Sequence, residues 1–313
     1  MSKFLKKTFC FLLFSLLVIL IISIPNYILL KSFFNPQNIV IDNANSIILG
    51  DSHAATGVNP NILYKAKNVA LHSEHLFYTY TKLAWLLSTN SNVDTVYLTI
   101  GHHTIMSENE NNIANKMFLG SYMPIVDIDQ YIQSLPININ MVKYYLIFKL
   151  GLLHSASLNY SLKALKNRNE YYNYLFLGNY LAKQGNNLTE ETINSTIERH
   201  YKDRTPDINN IATVSLDKII ALCKESEKEL IILITPINKK YSKQIPKEVK
   251  QTFRKLLTDL QQNNTEVYDF SSLQMPDENF GDGDHLNEVG ATRFTQKIIR
   301  MNNRKQKKPS LDG

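Results

Sequence analysis

Two short segments of the sequence carry residue types that together could perform nucleophilic catalysis. The first is residues 50–53 (GDSH), in which Ser52 offers a hydroxyl group. The second, near the C-terminus, is residues 282–285 (DGDH). A serine hydroxyl is a useful nucleophile only when a base removes its proton, and a histidine base needs a carboxylate that fixes its tautomer. We therefore predict that Ser52 is the nucleophile and that His285 is its base, oriented by Asp282.

Three other residues of these segments need separate roles. Asp284 competes with Asp282 as the carboxylate that orients His285, and the three-residue spacing to the histidine favours Asp282. Asp51 precedes the serine, and we expect it to stabilise the turn by accepting backbone hydrogen bonds rather than to react. We expect His53 to pack against the same turn or to cap it.

Five short apolar runs predict the strands that would position these residues. Near-continuous runs of this kind are typical of strands buried on both faces of a parallel sheet. Helical periodicities lie between them, as in 208–223, which Thr205 would cap and Pro206 would begin. Strands that alternate with helices predict an α/β fold with a doubly wound parallel sheet. The predicted strands are residues 46–49, 67–71, 93–100, 229–235 and 266–270.

The carboxyl ends of parallel strands meet at one edge of a sheet, so both motifs would lie there. Ser52 follows the first predicted strand, and His285 follows the last. Residues 102–204 interrupt the alternation and are rich in tyrosine and asparagine, and they predict a mostly helical insertion between the third and fourth strands. The insertion either covers the cleft at this edge or packs beside the sheet, and the sequence favours neither.

The second motif continues as HLNEVGA over residues 285–291. Together with the first motif, it resembles the SGNH (GDSL-type) hydrolase superfamily, in particular its membrane-anchored branch of cell-envelope acyltransferase-like proteins. The resemblance covers about residues 45–300 without the insertion. It implies a flavodoxin-like SGNH fold and a catalytic triad of Ser52, Asp282 and His285.

The resemblance also implies an oxyanion hole made by the nucleophile's own amide, a second backbone amide and an asparagine side chain. The matching second region, 68–73 (NVALHS), contains no glycine, and the amide of Leu71 is the expected donor. In the third region, 100–103 (IGHH), His103 stands where the asparagine is expected. Because losing one such donor costs about 10²–10³ in rate, this substitution favours slow or specialised acyl transfer over general hydrolysis.

Histidines near several predicted strand ends raise the question of a metal site. His102 and His103 follow a strand directly, and His53, His72 and His75 lie near other strand ends. None of them has the spacing of familiar metal ligands, so we expect neither a metal nor a cofactor. His103 then contacts the oxyanion or substrate or has a structural role. A metal-dependent phosphoesterase is the reaction class that a metal here would favour.

The N-terminal segment predicts a membrane anchor. Residues 9–24 carry no charge and approach the ~20 apolar residues that span a bilayer. No Ala-x-Ala-like cleavage site follows, so we expect the anchor, residues 1–31, to be retained. Three lysines precede the segment, which predicts a cytoplasmic N-terminus, an extracytoplasmic domain over 32–300 and a basic disordered tail over 301–313. The lysines are Lys3, Lys6 and Lys7.

Composition excludes other classes of protein. The 313 residues are 44% hydrophobic, which is enough to bury a full core. The formal charge of +6 comes from basic residues at the two ends, so the near-neutral middle argues against nucleic-acid binding. The cysteines, Cys10 and Cys223, cannot build a disulfide framework, and we expect Cys223 to be buried in a helix.

These observations predict an O-acyl esterase or acyltransferase that acts on a cell-envelope glycan or related polymer through an acyl-enzyme on Ser52. Its expected partners are an acyl donor and a glycan acceptor, and the resemblance implies a membrane protein that delivers the acyl group. The competing hypothesis is a noncatalytic SGNH-fold binding or assembly protein of the cell envelope, motivated by the missing asparagine and glycine.

Overall fold

The computed structural model describes most of the two ends of the chain and little of its middle. The chain divides into two compact units, which are described separately. The first is Met1–Ile39 with Ile113–Leu175, and the second is Val40–Asn112 with Phe176–Gly313. The described residues are 2–33, 41, 43–106, 122, 125, 126, 162, 165, 166, 177–202 and 210–306.

In the first unit, a single long helix, α1, forms from the apolar N-terminal segment. It spans Ser2–Phe33 and continues through Pro25, whose missing N–H group does not end it. The stretch Lys3–Asn26 is long and apolar enough to cross a membrane, which agrees with the predicted single-pass anchor.

The second unit is built on a five-stranded sheet, and all its strand pairs are parallel. The spatial order is β2-β1-β3-β4-β5, which is the doubly wound, flavodoxin-like order. The prediction of fold class and of all five strands is therefore confirmed. The strands are β1 Ser46–Leu49, β2 Ala66–Asn68, β3 Thr95–Thr99, β4 Glu229–Ile234 and β5 Glu266–Asp269.

β2 is shorter than the predicted 67–71. Its chain continues beside β1, and the N–H groups of Val69 and Leu71 donate to the carbonyls of Ile48 and Gly50. The N–H group of Ala70, however, donates to the side chain two residues earlier, Oδ1 of Asn68. The regular ladder therefore ends at the edge of the sheet near the site described below.

Helices bury both faces of the sheet. Helices α2 (Ser52–Gly57) and α8 (Glu288–Gln306) pack on one face, where Ile48, Tyr97 and Ile231 point. Helix α3 (Leu76–Thr89) packs with α5 (Asn210–Glu225). Alternate strand residues such as Ile47 and Val96 are also fully buried, as expected for a sheet covered on both sides. The helices are α2 Ser52–Gly57, α3 Leu76–Thr89, α4 Glu190–Tyr201, α5 Asn210–Glu225, α6 Lys239–Gln244, α7 Lys247–Gln262 and α8 Glu288–Gln306, with a short 3-10 turn at Asp277–Asn279.

α5 has the buried face that its periodicity predicts. Ile211, Ser215, Ile219 and Cys223 are all buried, and the predicted burial of the cysteine is thus confirmed. The predicted cap at Thr205 lies outside the described residues. Most of the predicted insertion, 102–204, also lies outside them. Its described end includes α4, which belongs to the same unit as the sheet.

Candidate active site

The turn after β1 places Ser52 at the carboxyl edge of the sheet. Gly50 in this turn has φ +131°, and a Cβ atom there would lie 2.4 Å from Oγ1 of Thr99 and 2.7 Å from its carbonyl oxygen. Glycine is therefore required where the turn passes the end of β3. Ser52 begins α2 at the point between β1 and β3 where the strand order reverses, which is the usual ligand position in such sheets.

Asp51 holds this turn, as predicted. Its Oδ1 accepts the backbone N–H of His53 at 2.9 Å and caps α2. Its Oδ2 accepts the hydroxyl of Thr104 at 3.1 Å and lies 2.8 Å from Nε2 of His103. Burial would raise the pKa of Asp51, but the attraction of His103 and these hydrogen bonds outweigh it and lower the pKa well below its usual range.

The structure brings the three predicted triad residues together. Nε2 of His285 lies 2.8 Å from Oγ of Ser52. Nδ1 of the same ring lies 2.9 Å from Oδ1 and 3.1 Å from Oδ2 of Asp282. Asp282 Oδ1 also accepts the backbone N–H of His285 at 2.9 Å, which fixes the loop as well as the ring. This chain of contacts matches the arrangement of a serine nucleophile, its base and an orienting carboxylate.

Lys183 adds a positive charge that the sequence did not indicate. Its ammonium group pairs with Oδ2 of Asp282, the oxygen that also lies 3.1 Å from Nδ1 of His285. Burial would raise the pKa of Asp282, but the hydrogen bond from His285 leads the effects that lower it to about 2. Asp282 is therefore an ionised partner for the histidine.

Asp284 is a second, fully buried carboxylate beside the same histidine. Its Oδ1 lies 3.0 Å from Nδ1 of His285 but makes no hydrogen bond among the described residues. Its Oδ2 lies 3.2 Å from Nε2 of His53 and 3.6 Å from Nδ1 of His200. The hydrogen-bonded acid is thus Asp282, in line with the spacing argument, while Asp284 contributes charge.

The two carboxylates change the protonation of His285. Burial alone would lower the pKa of His285. The negative charge of Asp284, together with the contacts to Asp282, outweighs burial and raises the pKa to about 10. The cationic form of the ring is therefore favoured at neutral pH.

A cluster of further histidines lies against the triad. The ring of His53 lies 4.9 Å from that of His285 and 4.7 Å from that of His103, and its Nδ1 lies 2.9 Å from Oγ1 of Thr235. His200 of α4 stacks on His103 at 4.6 Å. Burial lowers the pKa of both His53 and His200, so both rings tend to be neutral. The sequence did not indicate His200, because its partners are far away in the chain.

Two of the three predicted oxyanion donors, Leu71 and His103, have other hydrogen-bond partners in this structure. The Leu71 amide donates to the carbonyl of Gly50 at 3.4 Å, and Nε2 of His103 is bound to Asp51. Ser73 has φ +58°, a conformation that favours glycine, and its amide has no hydrogen-bond partner among the described residues. The oxyanion roles of Leu71 and His103 therefore stay predictions, and Ser73 is an additional candidate donor.

One group of described residues could hold a metal ion, although we expected none. The ligand atoms of His53, Asp284 and His285 lie within 4.8 Å of one another. These residues come from opposite ends of the sheet unit in sequence, so no local spacing could have indicated them. A metal ion bound here would take one ring nitrogen of His285, and both of these nitrogens contact triad residues.

No family model matches the sequence, and no curated protein matches it. Two solved structures are similar in fold, each with 12% sequence identity. One is a protein from Streptococcus pneumonia named after platelet activating factor, with a TM-score of 0.39 over 92% of this chain and 98% of that chain. The other is an extracellular lipase from Streptomyces rimosus, with a TM-score of 0.36 over 82% of this chain and 99% of that chain.

Proposed function

We propose that this chain is an SGNH-like serine hydrolase or acyltransferase that processes O-acyl esters. The observation that carries this proposal is the continuous contact from Ser52 Oγ through His285 to Asp282. Ser52 is only partly buried, which leaves its hydroxyl accessible to a substrate. Neutral His53 and His200 behind the triad add no competing positive charge.

The proposed reaction proceeds through an acyl-enzyme. Oγ of Ser52 attacks the ester carbonyl while Nε2 of His285 takes its proton, and the same nitrogen then protonates the leaving alcohol as the ester bond breaks. Water or a sugar hydroxyl next gives its proton to Nε2 and attacks the acyl group. This second attack releases Ser52, and Asp282 stabilises the cationic ring in both steps.

The proposed oxyanion site uses backbone amides. The amide of Ser52 is one donor, and the amide of Ser73 takes the place that we first expected for Leu71. The ring of His72 lies 6.4 Å from that of His285, which supports a position of this segment beside the triad. His103 is proposed to act through Asp51, by fixing the turn that carries Ser52, unless its bond to Asp51 breaks when substrate binds.

The proposed substrate lies outside the cytoplasm. Helix α1 and the three lysines at its start support a retained anchor with a cytoplasmic N-terminus, which would place the sheet unit on the outer side of the membrane. A cell-envelope glycan or related polymer is then the proposed acyl acceptor, with transfer favoured over hydrolysis. A membrane protein that delivers the acyl group rests on the family resemblance alone.

The competing proposal is a noncatalytic binding or assembly protein. Two features favour it: the predicted oxyanion donors of Leu71 and His103 have other hydrogen-bond partners, and the two carboxylates raise the pKa of His285, which disfavours the neutral ring that a base needs. Under this proposal the triad contacts only stabilise the fold.

Covalent labelling of the full chain in detergent separates the two proposals. We expect a fluorophosphonate probe to modify Ser52, as located by mass spectrometry, and we expect no adduct on the Ser52→Ala protein or on heat-unfolded protein. Labelling of the folded protein at no serine, or equally at several surface serines, would leave the binding proposal as the one that stands.

A further inference from the structure

A basic cleft lies between the ends of β4 and β5, outside the triad. Its volume is about 470 Å³. Three lysines line it, Lys239 and Lys243 of α6 and Lys250 of α7, and none of them forms an ion pair with a described residue. Three hydroxyl groups, those of Ser242, Ser271 and Ser272, and the amide of Gln274 add to the polar lining.

Among the described residues of the cleft wall, the one carboxylate is already paired with a cation. Oδ1 of Asp277 accepts the amide of Asn238 at 2.9 Å, and Oδ2 binds the ammonium group of Lys240 at 3.0 Å. These bonds lower the pKa of Asp277, so it remains ionised and paired. The net charge of the cleft is therefore positive and is set by the three unpaired lysines.

The walls of the cleft reach the candidate active site. Lys239 and Lys243 are four residues apart on α6 and lie on one face, whereas Tyr241 is buried on another and its hydroxyl lies 2.9 Å from Nδ1 of His200. On α7, Phe253 lies one turn beyond Lys250, and its ring packs 4.4 Å from that of His102. A ligand in the cleft would therefore lie against the two helices that contact the histidine cluster.

A second basic cleft extends the positively charged surface. It has a volume of about 270 Å³ and shares the loop Leu273–Pro276 with the first. Its cations come from α8 at intervals of four and three residues: Arg293, Lys297 and Arg300. Two clefts on either side of one loop can bind successive charges of a single polyanion.

We infer that the two clefts bind a phosphate-bearing polyanion, and that the substrate of the proposed active site carries these phosphate groups. The substrate assignment rests on the proposed function, whereas the binding itself does not. Phosphate groups fit the cations of both clefts. The lysines of the first cleft can bind phosphate as compact point charges, and Arg293 and Arg300 of the second can bind it with two parallel hydrogen bonds each.

Calorimetric titration of the full chain in detergent with sodium tripolyphosphate tests the inference. We expect saturable binding that weakens as the salt concentration rises, because salt screens exposed charges. Joint replacement Lys239→Gln, Lys243→Gln and Lys250→Gln should weaken binding about tenfold. The matched control replaces three lysines near the amino ends of the strands, and it should bind like the wild type: Lys65→Gln, Lys224→Gln and Lys228→Gln.

Three further measurements decide whether the inference holds. Ser52→Ala should bind tripolyphosphate as tightly as the wild type, so loss of catalysis and loss of binding are distinguishable. The near-UV circular dichroism spectrum of the triple lysine variant should match that of the wild type, which shows that the variant is folded. No binding, or equal weakening in the control, overturns the inference. Binding to phosphatidylglycerol vesicles through these lysines without binding to tripolyphosphate overturns it in favour of a membrane surface.

Discussion

At the scale of single residues, two carboxylates compete for one histidine. Asp282 forms the hydrogen bonds to Nδ1 of His285 and is paired with Lys183. Asp284 lies equally near but is held by His53. Together they raise the pKa of His285 to about 10 against the effect of burial. A base must be neutral to accept a proton, so this charge should control the pH at which Ser52 reacts.

We expect the rate of fluorophosphonate labelling at Ser52 to increase with pH from neutrality to about 10, because His285 loses its proton over that range. Asp284→Asn removes the largest effect that raises this pKa, so the whole profile should move to lower pH. The measurement is the labelling rate across pH for both proteins. An unchanged profile in Asp284→Asn would contradict the assignment of charge to this residue.

Asp282→Asn is the matched comparison, and its effect should be of another kind. An amide at this position cannot hold His285 in the tautomer that accepts the serine proton. Labelling should therefore fall by about 10³-fold at every pH. The measurement is the same rate at the plateau of each profile. A pH shift without a lower plateau would indicate that Asp284, not Asp282, orients the ring.

The sequence could predict Ser52, Asp282 and His285 because each belongs to a local motif at the end of a strand run. It could not indicate Lys183 or His200. Lys183 meets Asp282 across 99 residues, and such contacts leave no periodicity or spacing in the chain. The oxyanion donors are a third case: the residue types were visible, but their hydrogen bonds depend on how the turns fold.

At the scale of elements, the turn between β1 and α2 depends on a glycine. Gly50→Ala should destabilise the fold by about 3 kcal/mol and displace Ser52, because the new Cβ would overlap Thr99. Gly185→Ala is the control, since it also has positive φ but no atom within 4 Å, and it should cost only about 1 kcal/mol. Chemical unfolding in detergent measures both. Equal costs would show that backbone conformation alone, and not the approach to β3, requires Gly50.

The start of α3 should make stability sensitive to acid. Nδ1 of His75 accepts the backbone N–H of Phe77 at 3.1 Å, and burial lowers the pKa of His75 to about 3. The unfolded chain binds a proton below about pH 6.5 and the folded chain does not until about pH 3, so stability falls as pH decreases across that window.

His75→Asn should keep the cap and remove this proton uptake. Asparagine is a good N-cap acceptor without a charge in this range, so the loss of stability between pH 6.5 and 3 should become smaller. Near-UV circular dichroism during urea unfolding at several pH values gives the slope. The other buried histidines contribute equally to both proteins, and an identical slope would therefore exclude His75 as a cause.

The elements themselves were largely predictable, and for a simple reason. Strands such as β4 are continuous apolar runs because both faces of the sheet are covered, and α5 shows its buried face as a helical period. Boundaries were less predictable. β2 ends at Asn68 although the apolar run continues to Leu71, and the bond from the Ala70 amide to the Asn68 side chain just beyond it is not encoded in the apolar pattern.

At the scale of the whole molecule, the net charge of the chain does not reveal a local concentration of basic residues. The near-neutral middle of the chain argued against nucleic acid, yet two clefts of the sheet unit collect lysines and arginines on either side of one loop. Composition averages over the surface, whereas recognition depends on where charges gather. The N-terminal lysines have a different proposed role, since they lie at the start of α1, before its apolar stretch.

The orientation of α1 in the membrane can be tested directly. Lys3, Lys6 and Lys7 precede the apolar stretch and only Lys31 follows it within the helix, so the N-terminus should stay in the cytoplasm. We expect a C-terminal alkaline phosphatase fusion, which is active only outside the cytoplasm, to be active. N-terminal sequencing of the membrane fraction should still find residues before the apolar stretch. Changing the three lysines to glutamate should reduce phosphatase activity, whereas Lys31→Glu should not. An inactive fusion to the unchanged chain would place the serine site on the cytoplasmic side and remove an extracytoplasmic polymer as its substrate.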